Sequence, residues 1–111
     1  MIDDMDDHVQ IETTFENREQ AEEMAKRLLD ARLIACGQWC EITSMYDWQG
    51  ERCKGNEVLL KVKTQAVLYK DVEKLIKKHH KYELPQITVT AMGGSAEYLA
   101  WIKEATWKSK K

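Results

Sequence analysis

IACGQWCEITSMYDWQGERCKGNEVLLKVK, residues 34–63, is the stretch that decides the fold. Residues 34–46 are rich in aliphatic, aromatic and β-branched side chains and contain no proline. Asp47-Trp48-Gln49-Gly50 offers a turn, and residues 52–63 run back with Val58, Leu60 and Val62 on one face. Two such runs about a central turn predict a β-hairpin. Each arm spans about a dozen residues, roughly twice the usual strand length. Arms that long overhang any shorter neighbour and leave backbone donors and acceptors open to another chain. Trp39, Tyr46 and Trp48 lie in the same region, so a closed homo-oligomer is expected.

The flanks supply the rest of the sheet. Residues 9–14 alternate, with Val9, Ile11 and Thr13 on one side, which predicts a short first strand. Asn17 is a good N-cap with Gln20 three residues on as a capping-box partner. Ala21, Met24, Ala25, Leu28 and Leu29 then recur at helical spacing through about residue 31. After the hairpin, Leu68, Val72, Leu75 and Ile76 mark a second helix over residues 66–78. Pro85 cannot extend it and biases Leu84 towards an extended backbone. Residues 87–92 alternate again, Gly93-Gly94 interrupts, and Ser95 caps a last helix with Tyr98, Leu99, Ile102 and Ala105 on one stripe. The order β-α-β-β-α-β-α, with antiparallel pairing, predicts an α+β, ferredoxin-like domain plus a C-terminal helix.

The 111 residues make one domain, structured over about 9–106 with tails at 1–8 and 107–111. The formal net charge of −2 gives no electrostatic footprint for nucleic acid or anionic lipid. Asp3, Asp4, Asp6 and Asp7 gather at one end and Lys103, Lys108, Lys110 and Lys111 at the other, as solvated termini do. No apolar run approaches the roughly 20 residues of a membrane span, and an acidic N-terminus is unlike a secretory signal. Three cysteines without framework spacing fit reduced thiols. A cytoplasmic domain is expected.

Several sites are missing from the pattern. There is no phosphate-binding glycine motif. The first strand-to-helix loop has no C-x-x-C, and residues 58–62 carry no aromatic to stack RNA bases. No nucleophile has an evident base, so catalysis is not expected. Cys36 and Cys40 share a strand face about 13 Å apart, too far to chelate one ion together. They read as small buried hydrophobes, with Cys53 an exposed thiol beside the turn. Gly93-Gly94-Ser95 before a helix is a common junction that can also take an anion.

His79-His80-Lys81-Tyr82-Glu83-Leu84-Pro85 concentrates polar chemistry where a helix ends. Neutral imidazole suits Cu, Zn and Ni, and the negative end of a helix dipole favours a cation. Consecutive helix positions point about 100° apart, so both rings reach one ion only where the helix unwinds. Glu83, or Glu12 from a neighbouring strand, would complete a mixed nitrogen and oxygen site. The same cluster also reads as a plain helix terminus with histidines facing water, or as an anion site using Lys81 and His80.

The chain resembles CutA, the divalent-cation tolerance proteins, over residues 9–106. The resemblance is carried by Thr13-Thr14-Phe15, Arg32-Leu33-Ile34-Ala35-Cys36, Tyr46-Asp47-Trp48-Gln49-Gly50, Glu57-Val58 and Leu60-Lys61-Val62-Lys63-Thr64. His80-x-Tyr82-Glu83-x-Pro85 and Tyr98-Leu99-x-Trp101-Ile102 complete the set. It implies a ferredoxin-like subunit, a homotrimer held by strand pairing, and kinship with PII-type trimeric signalling proteins. It implies tolerance to copper and other divalent cations, with metal ligands at His79 and His80. The family's cysteine on the first strand is Glu12 here, which shifts the site towards Cu(II), Zn(II) or Mn rather than Cu(I). Lys81 replaces a usual proline and Gln86 a frequent glutamate, and both changes weaken cation binding. The expectation is a homotrimer that binds divalent metal such as Cu(II) or Zn(II), with Tyr82 as a pocket wall and Trp48 and Trp101 at subunit contacts. The alternatives are a PII-like module taking a small metabolite or partner loop, and a trimer that anchors another protein.

Overall fold

The hairpin is longer than its sequence predicts. β2 (Cys36–Trp48) and β3 (Glu51–Gln65) pair without interruption from Cys36 opposite Lys63 to Trp48 opposite Glu51. Gln49 and Gly50 reverse the chain alone, with φ of 52° and 83°. These are the left-handed conformations of a two-residue type I′ turn. Asp47 and Trp48 therefore belong to the ladder, and an Asp47–Arg52 ion pair sits across it.

The computed structural model describes residues 7–106, and the tails expected beyond them lie outside that range except at Asp7 and His8. β1 (His8–Phe15) opens at His8, which is buried rather than part of a tail. It pairs antiparallel with β3 on one side and with β4 (Thr88–Ala91) on the other. The sheet order is β2-β3-β1-β4. The fold is thus the predicted α+β, ferredoxin-like arrangement with an added helix.

α1 (Arg18–Asp30) starts at Asn17, whose side chain accepts the Gln20 N–H at 2.9 Å. Gln20 Oε1 accepts from the Glu16 N–H rather than from Asn17, so the box closes one residue early. The helix ends in a Schellman motif: Leu33 N–H donates to the Leu28 carbonyl and Arg32 N–H to that of Leu29. Arg32 holds φ 59° where glycine is usual, and its guanidinium donates to the Glu104 carbonyl on the last helix. A 3-10 turn at residues 66–68 leads into α2 (Tyr69–His79). α3 (Ala96–Ala105) is capped by Ser95, which accepts the Tyr98 N–H.

One face of the sheet makes the main core. Ile11, Val58, Leu60 and Val62 pack with Met24, Leu28, Val72 and Ile76 from α1 and α2. Sealing each of these aliphatic side chains contributes about 1.5–3 kcal/mol. Thr64 spends its hydroxyl on the Leu33 carbonyl at 2.6 Å, whereas the hydroxyl of Thr13 is buried with no partner. Among the described residues the opposite face is covered only at one end, by α3. There His8 Nε2 meets the Leu99 carbonyl, Gln65 Nε2 donates to Thr106 Oγ1, and Lys63 lies over the Tyr98 ring.

β1 ends at Phe15 opposite Val58. Residues 51–57 of β3 and 42–48 of β2 therefore have no other strand beside them and no helix beneath, and none of their side chains is buried. Met45 is 61 % exposed and Tyr46 50 %. Cys40 is exposed as well, and Cys36 and Cys53 are half-buried. The expected burial of Cys36 and Cys40 is thus corrected: both lie on the sheet face that α3 covers only at its end.

Candidate functional site

The segment after α2 does not unwind towards solvent. His80 leaves helical geometry at φ −78°, ψ 142° while its N–H still donates to the Ile76 carbonyl. Its ring stacks on Phe15, centroids 4.4 Å apart and planes 11° from parallel. Nε2–H donates to the Thr14 carbonyl at 2.8 Å, and Nδ1 accepts the Tyr82 N–H at 3.1 Å. One nitrogen donates and the other accepts, which defines a neutral imidazole with its proton on Nε2. Burial lowers the His80 pKa, against the opposing pull of the Thr14 carbonyl and the Glu57 charge.

Tyr82 carries the connection onward. Its hydroxyl donates to Glu57 Oε2 at 2.8 Å, on the first overhanging residue of β3. Burial, the bond to Glu57 and the nearby carboxylate charges raise its pKa, so the phenol stays protonated at any ordinary pH. The 82–86 turn and the overhanging hairpin enclose an open groove of about 780 Å³. Its walls are Met45, Tyr46, Trp48, Leu84 and Pro85, with Thr14, Glu16, Ser44, Glu57 and Tyr82 as polar members. A mixed lining of this kind fits a small ligand or a polypeptide segment.

The four metal candidates do not converge within the subunit. His79 ends α2 and lines a separate cleft of about 620 Å³ with Glu19, Glu23, Met24, Arg27 and Lys78. Burial, then the positive charges of Arg27 and Lys78, lower its pKa, and Glu23 acts the other way. His80 lines the same cleft, but both of its ring nitrogens are engaged. Glu12 lies on β1 opposite Lys61 and Thr88, accepting a hydrogen bond from Gln10. Glu83 is exposed on the rim of the groove. Among the described residues no three His, Cys, Asp or Glu side chains stand close enough to hold a metal ion.

Glu57 and Thr14 are among the groove residues that chemical motifs missed. Their only signal was their presence in the stretches that carry the family resemblance.

A ferredoxin-like subunit with an overlong hairpin and a histidine-tyrosine turn beside it is the class that fold and site define. Comparison with known proteins places it more closely. The chain belongs to the CutA1 divalent ion tolerance protein family, whose model matches residues 9–105. It is 38 % identical over 93 residues to the probable divalent-cation tolerance protein cutA homolog of Encephalitozoon cuniculi, covering 83 % of this chain and 82 % of that one. The structure of CutA1 from Oryza sativa superposes with a TM-score of 0.89 at 28 % identity, covering 93 % of this chain and 96 % of the other. The periplasmic divalent cation tolerance protein CutA of Archaeoglobus fulgidus gives 0.86 at 34 % identity, covering 88 % and 97 %. Among the described residues of this chain no helix is long and apolar enough to cross a membrane.

Proposed function

We propose that the chain acts as a homotrimer in the response to divalent metal ions, without catalysing a reaction, and that its binding surfaces are completed between copies. The observation that carries this reading is the overhang: residues 42–57 expose Met45, Tyr46 and Trp48 beyond the reach of their own helices. Among the described residues the outer edge of β2 has no partner strand either. A long apolar edge of that kind calls for another strand, and kinship with divalent-cation tolerance proteins supplies the role.

For a Cu(II) or Zn(II) ion, His79 is the open nitrogen donor, because no hydrogen bond holds its ring among the described residues. Glu19 and Glu23 line the same cleft. Glu12 and Glu83 could join such an ion only from another copy. Sedimentation at micromolar concentration tests the assembly, with a trimer expected and a folded monomer overturning it. Calorimetric titration with Zn(II) tests the ligand: His79→Ala is expected to abolish stoichiometric uptake, and unchanged uptake would remove His79 from the site.

A second reading rests on the groove itself, whose volume and mixed lining suit a small metabolite or a partner loop. Binding that survives metal chelation would favour this PII-like role.

A further inference from the structure

The two histidines at the end of α2 are neighbours in sequence and opposites in circumstance. Among the described residues no hydrogen bond holds the His79 ring, which lines an open cleft, while both nitrogens of the His80 ring are engaged within the same chain. The His80 bonds join the end of β1 to the turn that follows α2. Its stack on Phe15 and its bond to Thr14 anchor it to the end of β1. Its acceptor nitrogen holds the backbone of the turn at Tyr82, and the tilted Tyr82 ring lies 4.9 Å away. Tyr82 in turn grips Glu57 where the hairpin leaves the sheet.

We propose that His80 is a positioning residue for the hairpin groove and not a cation ligand. Coordination through Nδ1 would release the Tyr82 N–H, and coordination through Nε2 would displace its proton and leave the Thr14 carbonyl without a donor. Either event exchanges a satisfied, partly buried hydrogen bond for an unsatisfied backbone group. The imidazole thus acts as a rivet: aromatic on one side, donor at one tip and acceptor at the other. No other neutral side chain offers all three at this reach. The role deepens the proposed function, since it concerns one wall of the same groove. It does not depend on the metal or on the trimer, because every bond in the chain of contacts lies within one copy.

The test uses the full chain, isotopically labelled, with Zn(II) alone as the probe. Imidazole nitrogen spectra are expected to show His80 as the neutral Nε2–H tautomer, unmoved by a several-fold excess of Zn(II). Movement of the His80 nitrogens on adding Zn(II) would overturn the proposal, whatever His79 does. Amide exchange supplies the second arm. His80→Phe keeps the stack but removes the acceptor, and the Tyr82 amide is expected to lose protection by about tenfold, the order of one hydrogen bond. His80→Asn retains an acceptor near the Nδ1 position and is expected to restore most of it. Equal protection in the wild type and both variants would show that the ring does not hold the turn. Sedimentation of each variant separates this outcome from loss of the assembly.

Discussion

The two halves of one hairpin differ in everything except their pairing. From residue 58 onward, alternate side chains of β3 are sealed against α1 and α2, and Leu60 and Val62 have no accessible surface. Over residues 51–57 the same strand continues with the same partner, and not one side chain is buried. The β2–β3 ladder runs without interruption through both halves, so hairpin pairing does not account for the contrast. Only the first half has β1 beside it and helices beneath it. The second half keeps apolar residues at Ile42, Met45, Tyr46 and Trp48, none of them buried by the described residues, and a patch of that kind marks an interaction surface.

The sharpest way to break the comparison is to truncate one side chain in each half. Leu60→Ala should destabilise the protein by about 2–5 kcal/mol through lost transfer energy and a residual cavity. Met45→Ala, on the exposed half, should change the unfolding of a dissociated subunit by less than about 0.5 kcal/mol. Denaturant titration at several protein concentrations measures both. If Met45→Ala matters only at high concentration, its contacts belong to the assembly.

Much of this contrast was legible in the sequence, and the reason is physical. Strand alternation and helical spacing are local patterns, so the order of elements, the caps at Asn17 and Ser95 and the excess length of the hairpin could all be read directly. The turn came out two residues too wide because the Asp47–Arg52 ion pair is a cross-strand contact, invisible until the register exists. The cysteines were read as buried because strand pattern alone does not say which sheet face is covered. The candidate site was the least legible. His80 is committed to a carbonyl at Thr14, distant in sequence, and its partner Tyr82 to Glu57. Neither bond has a signature at short range.

Two smaller substitutions sharpen each half. Gly50→Ala places a Cβ at φ 83° in the hairpin tip, with open space around it, so the cost is backbone strain alone. A loss of about 1–2 kcal/mol is expected, read as a lower denaturation midpoint together with faster amide exchange confined to the overhang. Thr13→Val acts in the opposite direction, on β1 opposite Leu60 of the covered half. The replaced hydroxyl is fully buried and makes no hydrogen bond, so an isosteric methyl should stabilise the fold by about 1 kcal/mol. A destabilised Thr13→Val protein would mean that the hydroxyl has a partner after all, supplied in solution.

The smallest expected effect lies at the junction between the halves and is a dependence on pH. Burial lowers the His80 pKa below its usual 6.5, so the folded state favours the neutral ring more than the unfolded chain does. The resulting stabilisation is complete above the unfolded value and is lost as pH falls through it towards the folded one. Protonation of Nδ1 also abolishes the acceptor for the Tyr82 N–H. The wild type should therefore lose stability between pH 7 and pH 5 more steeply than His80→Asn, whose amide does not titrate. Carboxylates and His79 contribute to both slopes, so the difference between the two proteins isolates His80. Identical slopes would show that the ring remains solvated enough to titrate alike in both states, and the link it makes between core and overhang would then carry little energy.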